Sequence, residues 1–460
     1  MNRCFALLLL ATVAAAGCAT GPDYQRPPLA LPATWLTGET DTNSLGHAAW
    51  TDLYRDPVLV ELIRTARTNN PDVRIAAARV EEALAAFRIQ RSALFPTVNG
   101  SAAYTTARTG NLPPLPGAEA DQFNLFGQLS FEVDLWGRLR RLSESARAQA
   151  LATEEGRRGV EIGLVAAVAS TYFNLRAQDR QLEIARDTLA ARSNTLALTR
   201  IKYDDGQGIV SELDVAQADT QVASARSAIA SLQRQVALTE HSLAALLGSH
   251  PRALPRGQTL MAQWQPDALP AGLPSDLLLR RPDLRAAEQE LIAANANIGA
   301  ARAAYFPTLS LTGALGLQSG ELDDLFDTGL SKAWSFTPAA GLPIFNAGRV
   351  RAGVRVAEAR RAAALAGYEK AIQTAFREVD DALTSIGRLR EQLEADEAVV
   401  TAERRRLELS TLRYEGGVAS YSDVLDAQRF LFSAELTAVQ TRNALLNATV
   451  QLYKALGGGW

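Results

Sequence analysis

The chain has 460 residues, 21% of them charged and only 7% aromatic, with a formal net charge of −3. That length could hold two or three ordinary globular domains, but an Ala-rich composition poor in aromatics suits long helices better than a thick mixed core. A charge of this sign and size gives no support to nucleic-acid binding, which wants a basic face.

The N-terminus reads "MNRCFALLLLATVAAAGC": one positive residue, an apolar run, then small residues. This is a secretory signal over residues 1–17. Ala15-Ala16-Gly17-Cys18 resembles a bacterial lipobox with Ala where Leu is usual. Cys18 is therefore expected to carry lipid (palmitate among its acyl chains) as the first residue of a mature extension, 18–53; cleavage by an ordinary signal peptidase is the alternative. Cys4, the other cysteine, lies in the removed segment. An exported chain without a disulfide must be held by packing or assembly. Ala19 follows the Cys, with no Asp to retain the lipoprotein in the inner membrane, which points to the outer one.

Four unrelated landmarks then recur at one spacing. Pro71-Asp72 returns as Pro282-Asp283, Phe95-Pro96-Thr97 as Phe306-Pro307-Thr308, Gly137-Arg138 as Gly348-Arg349, and Tyr203 as Tyr414; 282 − 71 and 414 − 203 both give 211. Solenoid repeats are far shorter, about 20–50 residues, so this is a tandem duplication of one unit. The copies run over 54–247 and 275–456, joined by a linker, 248–274.

Each copy begins with a helix opened by Pro-Asp, to Ala93 and to Ala304. Two segments of period two follow, at about 95–108 and 122–136, then 306–318 and 331–345. In the second of these, Phe123, Leu125, Leu129, Phe131, Val133 and Leu135 alternate with Gln122, Asn124, Gln128, Ser130, Glu132 and Asp134. Leu309, Leu311, Leu315 and Leu317, then Trp334, Phe336, Leu342 and Ile344, keep that parity. These are strands with one apolar and one polar face. No proline occurs between Pro116 and Pro251 or after Pro343. Those runs are expected to hold long helices at 138–203, 211–247, 349–414 and 422–456, reversing at "DDGQGIVS" and "EGGVAS".

Four strands cannot close a barrel, and open edges in hydrocarbon cost several kcal/mol per unpaired group. A small soluble sandwich is the alternative, but the helices are too long to cover one. A barrel must then be shared: two, three or four chains would supply eight, twelve or sixteen strands.

The duplicated plan, "GCATGPDYQRPP" after the lipobox, the two "FPT" passages and "RYEGGVASYSDVLDAQR" resemble the TolC-like outer-membrane factor family, in its lipoprotein branch serving resistance–nodulation–division efflux pumps. The resemblance implies a mainly α fold with a membrane β-barrel. Specifically, it implies a homotrimer with a twelve-stranded barrel in the outer membrane, a long α-helical periplasmic tunnel, and an equatorial segment formed by 248–274. It also implies a passive gated conduit that exports small molecules, with a periplasmic adaptor and an inner-membrane pump as partners, outer-membrane lipid around it and no cofactor. A non-channel periplasmic coiled-coil scaffold or adaptor is the alternative, though it should lack paired strands of common parity.

By the same resemblance, Asp423 and Asp426 line a periplasmic aperture, and Tyr414 and Asp214 form a link between neighbouring helix pairs. The polar residue that often follows the family's Tyr by five places is Ala419 here. A structural reading competes: Ser211-x-x-Asp214 and Ser420-x-x-Asp423 both fit capping boxes, leaving Asp426 one turn too deep to cap. "NLPPLPGAEA" reads as an exposed loop between two strands. His47, His241 and His250 stand apart from metal-ligand spacing, and neither a G-x-S-x-G elbow nor a Walker A lysine occurs, so no enzyme is expected.

Overall fold

The computed structural model describes residues 19–28, 32, 34–36, 44–45, 48–108, 110, 119–205, 210–263, 270–272 and 274–458. Cys18, the signal segment 1–17, His47, most of "NLPPLPGAEA" and residues 206–209 lie outside them.

After a single helical turn at Trp50–Leu53, α1 covers Pro57–Asn69 and α2 Pro71–Ser92. Strands β1 (Thr97–Arg108) and β2 (Glu119–Val133) follow, then helices α3 (Arg138–Asp204) and α4 (Glu212–Leu246). A second round has α5 (Pro282–Ala303), β3 (Thr308–Ser319), β4 (Lys332–Gly341), α6 (Arg349–Glu415) and α7 (Tyr421–Ala455). The matching helices agree in length: 67 residues in α3 and α6, 35 in α4 and α7. At 1.5 Å per residue the longer pair run about 100 Å. None of the described helices is long and apolar enough to cross a membrane.

The strands form one antiparallel sheet in the order β1-β2-β3-β4. Register carries the alternation across it: Leu129 pairs with Val98 and Gly313, Phe131 with Leu311, and Leu315 with Trp334. One face is therefore apolar from edge to edge and remains open, with Val98 74%, Leu315 60%, Trp334 73% and Phe336 61% exposed. Tyr104 stacks on Phe123 at 4.7 Å towards one end of β2. Beyond its other end Trp136 stacks on Phe306 at 4.6 Å. Gly316 is required where β3 meets β2, because a Cβ there would lie 2.0 Å from the carbonyl oxygen of Leu125.

The sheet departs from the sequence expectation at its ends. β4 stops at Gly341, ten residues long, so Leu342 and Ile344 lie outside it. Pro343 offers no N–H to a ladder, and the alternation runs on past the last pairing. Leu135 likewise lies beyond β2, where Asp134 accepts from the N–H groups of Leu139 (3.0 Å) and Arg140 (2.9 Å) and so caps α3. The helix α1 was not read from the sequence, although Leu59, Leu62, Ile63 and Ala66 bury one face at i, i+3, i+4 and i+7.

The chain divides into two compact units. The first contains the sheet, residues 79–154 and 286–369, and the described N-terminal strap 19–28. There α5 is packed: Glu288, Leu291, Ala293, Asn295, Ala296 and Ile298 are all buried. Part of the cover is the strap, since Arg26 grips Glu288 through Nε (2.7 Å) and Nη2 (2.5 Å), and Asn295 donates to the carbonyl of Pro22 (2.8 Å). The rest includes α3, whose Arg141 lies against Gly299; a Cβ on that glycine would be 2.9 Å from Arg141 Cγ. The duplicate helix α2 has no such cover. No residue from 79 to 92 is buried, and Ile89 is 74% exposed.

The second unit comprises 29–78, 155–285 and 370–460. A buried carboxylate ties its linker to its helices. Asp56, 1% exposed, accepts from Tyr172 Oη (2.7 Å), the Gln258 N–H (2.9 Å), Gln263 Nε2 (2.8 Å) and the Val58 N–H (2.9 Å). Gly257 must be glycine, because a Cβ would fall 2.1 Å from that carboxylate. Four donors compensate the burial of one acid, so removing its charge strands them. Asp56→Asn is expected to lower stability by about 2–4 kcal/mol, read as a fall in melting temperature of the purified protein.

Candidate functional site

The residues singled out by sequence converge in the second unit, where the two helix pairs reverse. At the first reversal Ser211 caps α4. Its Oγ accepts from the Asp214 N–H (3.3 Å), while Asp214 Oδ2 accepts from the Ser211 N–H (2.8 Å) and hydroxyl (2.7 Å). This is a complete capping box.

The second reversal is built differently. α6 closes with Val418 N–H donating to Arg413 O (3.0 Å) and Gly417 N–H to Tyr414 O (3.1 Å). That pair of bonds is a Schellman motif, and Gly417 supplies the φ of +75° it needs. Ser420 then begins α7 without a side-chain cap. Its hydroxyl lies 2.6 Å from Ser422 Oγ and donates to Asp423 Oδ2 at 3.3 Å. The box expected from Ser420-x-x-Asp423 is therefore not formed, because the serine turns towards side-chain oxygens and leaves the Asp423 N–H to the Ser420 carbonyl at 3.2 Å. Asp423 is exposed. Asp426 pairs with Arg429 at 3.4 Å, both more than half exposed, a contact worth about 0–1 kcal/mol.

Tyr414 is half-buried. Lys202 Nζ lies 5.0 Å from its ring centre and the Tyr421 ring 5.4 Å away. Burial, and then the charge of Asp214, raise its pKa above the ordinary phenol value. The structure thus brings Tyr414 and Asp214 into one cluster, where the carboxylate bonds Ser211 and acts on the phenol through its charge.

Sequence reasoning missed the centre of this cluster. Tyr421, 4% exposed, packs with Leu196, Ala218, Val222, Val424 and Leu425, joining all four helices together with Tyr414 and Leu407. Its signal was available as Tyr421, Val424 and Leu425, an i, i+3, i+4 apolar stripe hidden by the flanking serines and aspartates.

Burial pushes the Tyr421 pKa up to about 12, helped by Tyr414 and Asp214 and opposed by Thr199 and Arg192. A raised phenol pKa means that the neutral form is the one the fold favours. Its contribution is complete below the ordinary value near 10 and is lost as pH rises through about 12. Tyr421→Phe should therefore flatten the fall in melting temperature between those pH values, measured alongside phenolate absorbance.

Comparison with known proteins gives a consistent result. The family model described as outer membrane efflux protein matches residues 62–249 and 273–458, once in each half of the duplication. The solvent efflux pump outer membrane protein SrpC of Pseudomonas putida is 44% identical, over 99% of this chain and 97% of its own. The cation efflux system protein CusC of Escherichia coli is 38% identical over the whole of both chains. The open state of the MtrE outer membrane channel of Neisseria gonorrhoeae superposes with a TM-score of 0.88 at 35% identity, covering 96% of this chain and 98% of that one.

Proposed function

We infer from its sequence and fold that this chain, which belongs to the outer membrane efflux protein family, works as the outer-membrane channel of a tripartite efflux pump. It is a passive conduit that carries small molecules from the periplasmic side to the exterior. An adaptor and an inner-membrane transporter of the resistance–nodulation–division type supply the energy and select the cargo.

The observation that carries this reading is the sheet. It offers lipid an unbroken apolar face and leaves its outer strands, β1 and β4, without neighbours among the described residues. Open edges are not tolerated in hydrocarbon, so closure has to come from further copies. A scaffold without a barrel has no use for such a sheet.

The number of copies is three, giving twelve strands and a helical tunnel beneath them. Support for a ring comes from the unequal burial of the duplicated helices. Within one chain α3 covers α5, with Arg141 on Gly299. Subtracting or adding 211 gives the counterpart contact, α6 on α2, with Ala352 against Arg88. Since α2 is bare, that contact belongs between copies, and a head-to-tail contact of this kind closes into a ring. Large and small residues even change places: arginine faces glycine in one contact and alanine in the other.

Cys18 carries the lipid, one residue in chain order before the strap that holds α5. At the periplasmic end Asp423 and Asp426 ring the aperture, and the Tyr414–Asp214 cluster links neighbouring helix pairs as the gate. Neither carboxylate caps α7, Asp423 is exposed, and the contact of Asp426 with Arg429 is exposed and weak, which supports this placing.

Two measurements test this reading. In a planar bilayer, the purified protein should give small cation-selective openings, and Asp423→Ala with Asp426→Ala should lower the selectivity and the block by divalent cations without dispersing the oligomer. Absence of conductance from a heat-insensitive monomer would favour the scaffold. For the ring, Arg88→Cys combined with Ala352→Cys should yield disulfide-linked dimers and trimers on a denaturing gel, while either substitution alone should not.

A further inference from the structure

Arg192 lies in the part of α3 that belongs to the second unit and is 5% exposed. Among the described residues no carboxylate pairs with it. Its Nη1 donates to the Gln221 carbonyl of α4 at 3.1 Å, and its guanidinium carbon sits 5.6 Å from the centre of the Phe432 ring of α7. Its Nε is buried with no hydrogen-bond partner. A buried cation is costly unless it is paired. Burial accordingly holds this guanidinium below the ordinary arginine value, with the Tyr421 phenol as the opposing influence. The feature is not left over from the duplication, because adding 211 to 192 gives Glu403, which has its own partner in Arg406 at 3.2 Å.

The surroundings of Arg192 form an open groove of about 310 Å³ between α3, α6 and α7. Ile184, Leu407, Leu431 and Phe432 supply an apolar strip within an otherwise largely polar lining. Gln428 adds a second buried polar atom without a partner, its Oε1. The other arginines of the rim are already neutralised, Arg180 by Glu183 and Arg404 by Glu435. Asp187, exposed at the rim, is not among the charges acting on Arg192. One buried cation without an acid, beside a strip of apolar side chains, is the arrangement that recognises an acid with a short hydrocarbon tail. The volume lies at the small end of ligand pockets, about 300–1,000 Å³.

We propose that this groove binds an amphipathic organic anion, with the carboxylate on Arg192 and the hydrocarbon body along Ile184, Leu407, Leu431 and Phe432. The site stands on residues of one chain and does not depend on conduction.

Octanoate, with octanol as its uncharged counterpart, can be titrated calorimetrically into the full-length protein in nanodiscs, with empty nanodiscs as the blank. Saturable binding at one site per chain is expected, octanoate roughly tenfold tighter than octanol. Arg192→Gln should abolish that preference. Leu431→Asp, which places one of the chain's own carboxylates in the trough, should weaken octanoate by a similar factor and leave the oligomer intact, so the test survives if Arg192→Gln fails to fold. Equal binding of octanoate by the Leu431→Asp variant, or no preference over octanol in the unaltered protein, would overturn the proposal. So would uptake that never saturates, the outcome expected of partition into lipid alone.

Discussion

A β-strand in hydrocarbon must pair on both sides, and a sheet of four strands has two sides left over. Most of what distinguishes this chain follows from that constraint. The apolar face runs across β1, β2, β3 and β4 because antiparallel register keeps side chains of like parity together, from Val98 through Leu129 and Leu315 to Trp334. Such a face has no soluble use while it stays uncovered, and the long helices α3 and α6 are not arranged to cover it. An uncovered apolar face suits lipid, and the two open edges are what the proposed closure by further copies answers.

Duplication supplies the repeated frame, and divergence between the halves supplies the working parts. The helices match in length, yet α5 is buried under the strap and α3 while α2 lies open. Asp134 caps α3, whereas Phe345, at the equivalent position before α6, is 89% exposed. Ser211 and Asp214 make a full box, and Ser420 with Asp423 does not. Arg192 is buried without an acid where Glu403 has an arginine. Each difference frees or occupies a group that perfect symmetry would have treated alike. In the proposed ring a neighbouring copy would supply the covering that α2 lacks, and the asymmetry within a chain would become regularity in the assembly.

The second unit holds its helix reversals through packing more than through charge. Tyr421 fills the junction of four helices, while the ion pairs nearby, such as Asp426 with Arg429, are exposed and weak. Deeper in the unit, Asp56 does the opposite and uses a single buried charge with four donors to fix the linker against α1 and α3.

Much of the fold was legible in the sequence because it is periodic. Alternation at two residues marks the strands, proline-free stretches mark the long helices, and a spacing of 211 exposes the duplication. These signals are local or self-referential and need no knowledge of neighbours. The ends of elements were less legible: alternation continued through Leu342 and Ile344, but the ladder stopped at Gly341 because a strand exists only where a partner offers hydrogen bonds. The candidate site was half legible. Asp214, Tyr414, Asp423 and Asp426 could be named from motif, but which aspartate caps a helix and which stays open depends on the rotation of one serine hydroxyl. Tyr421 and Arg192 were invisible as special residues, since a tyrosine or an arginine in a helix is ordinary until helices distant in sequence bury it. By itself, then, the sequence determined the repeat, the periods and the two-faced strands, all consequences of backbone geometry acting over a few residues. Tertiary structure alone decided which faces are covered, which polar groups are left without partners and where a charge is trapped, because burial is made by segments that lie far apart along the chain.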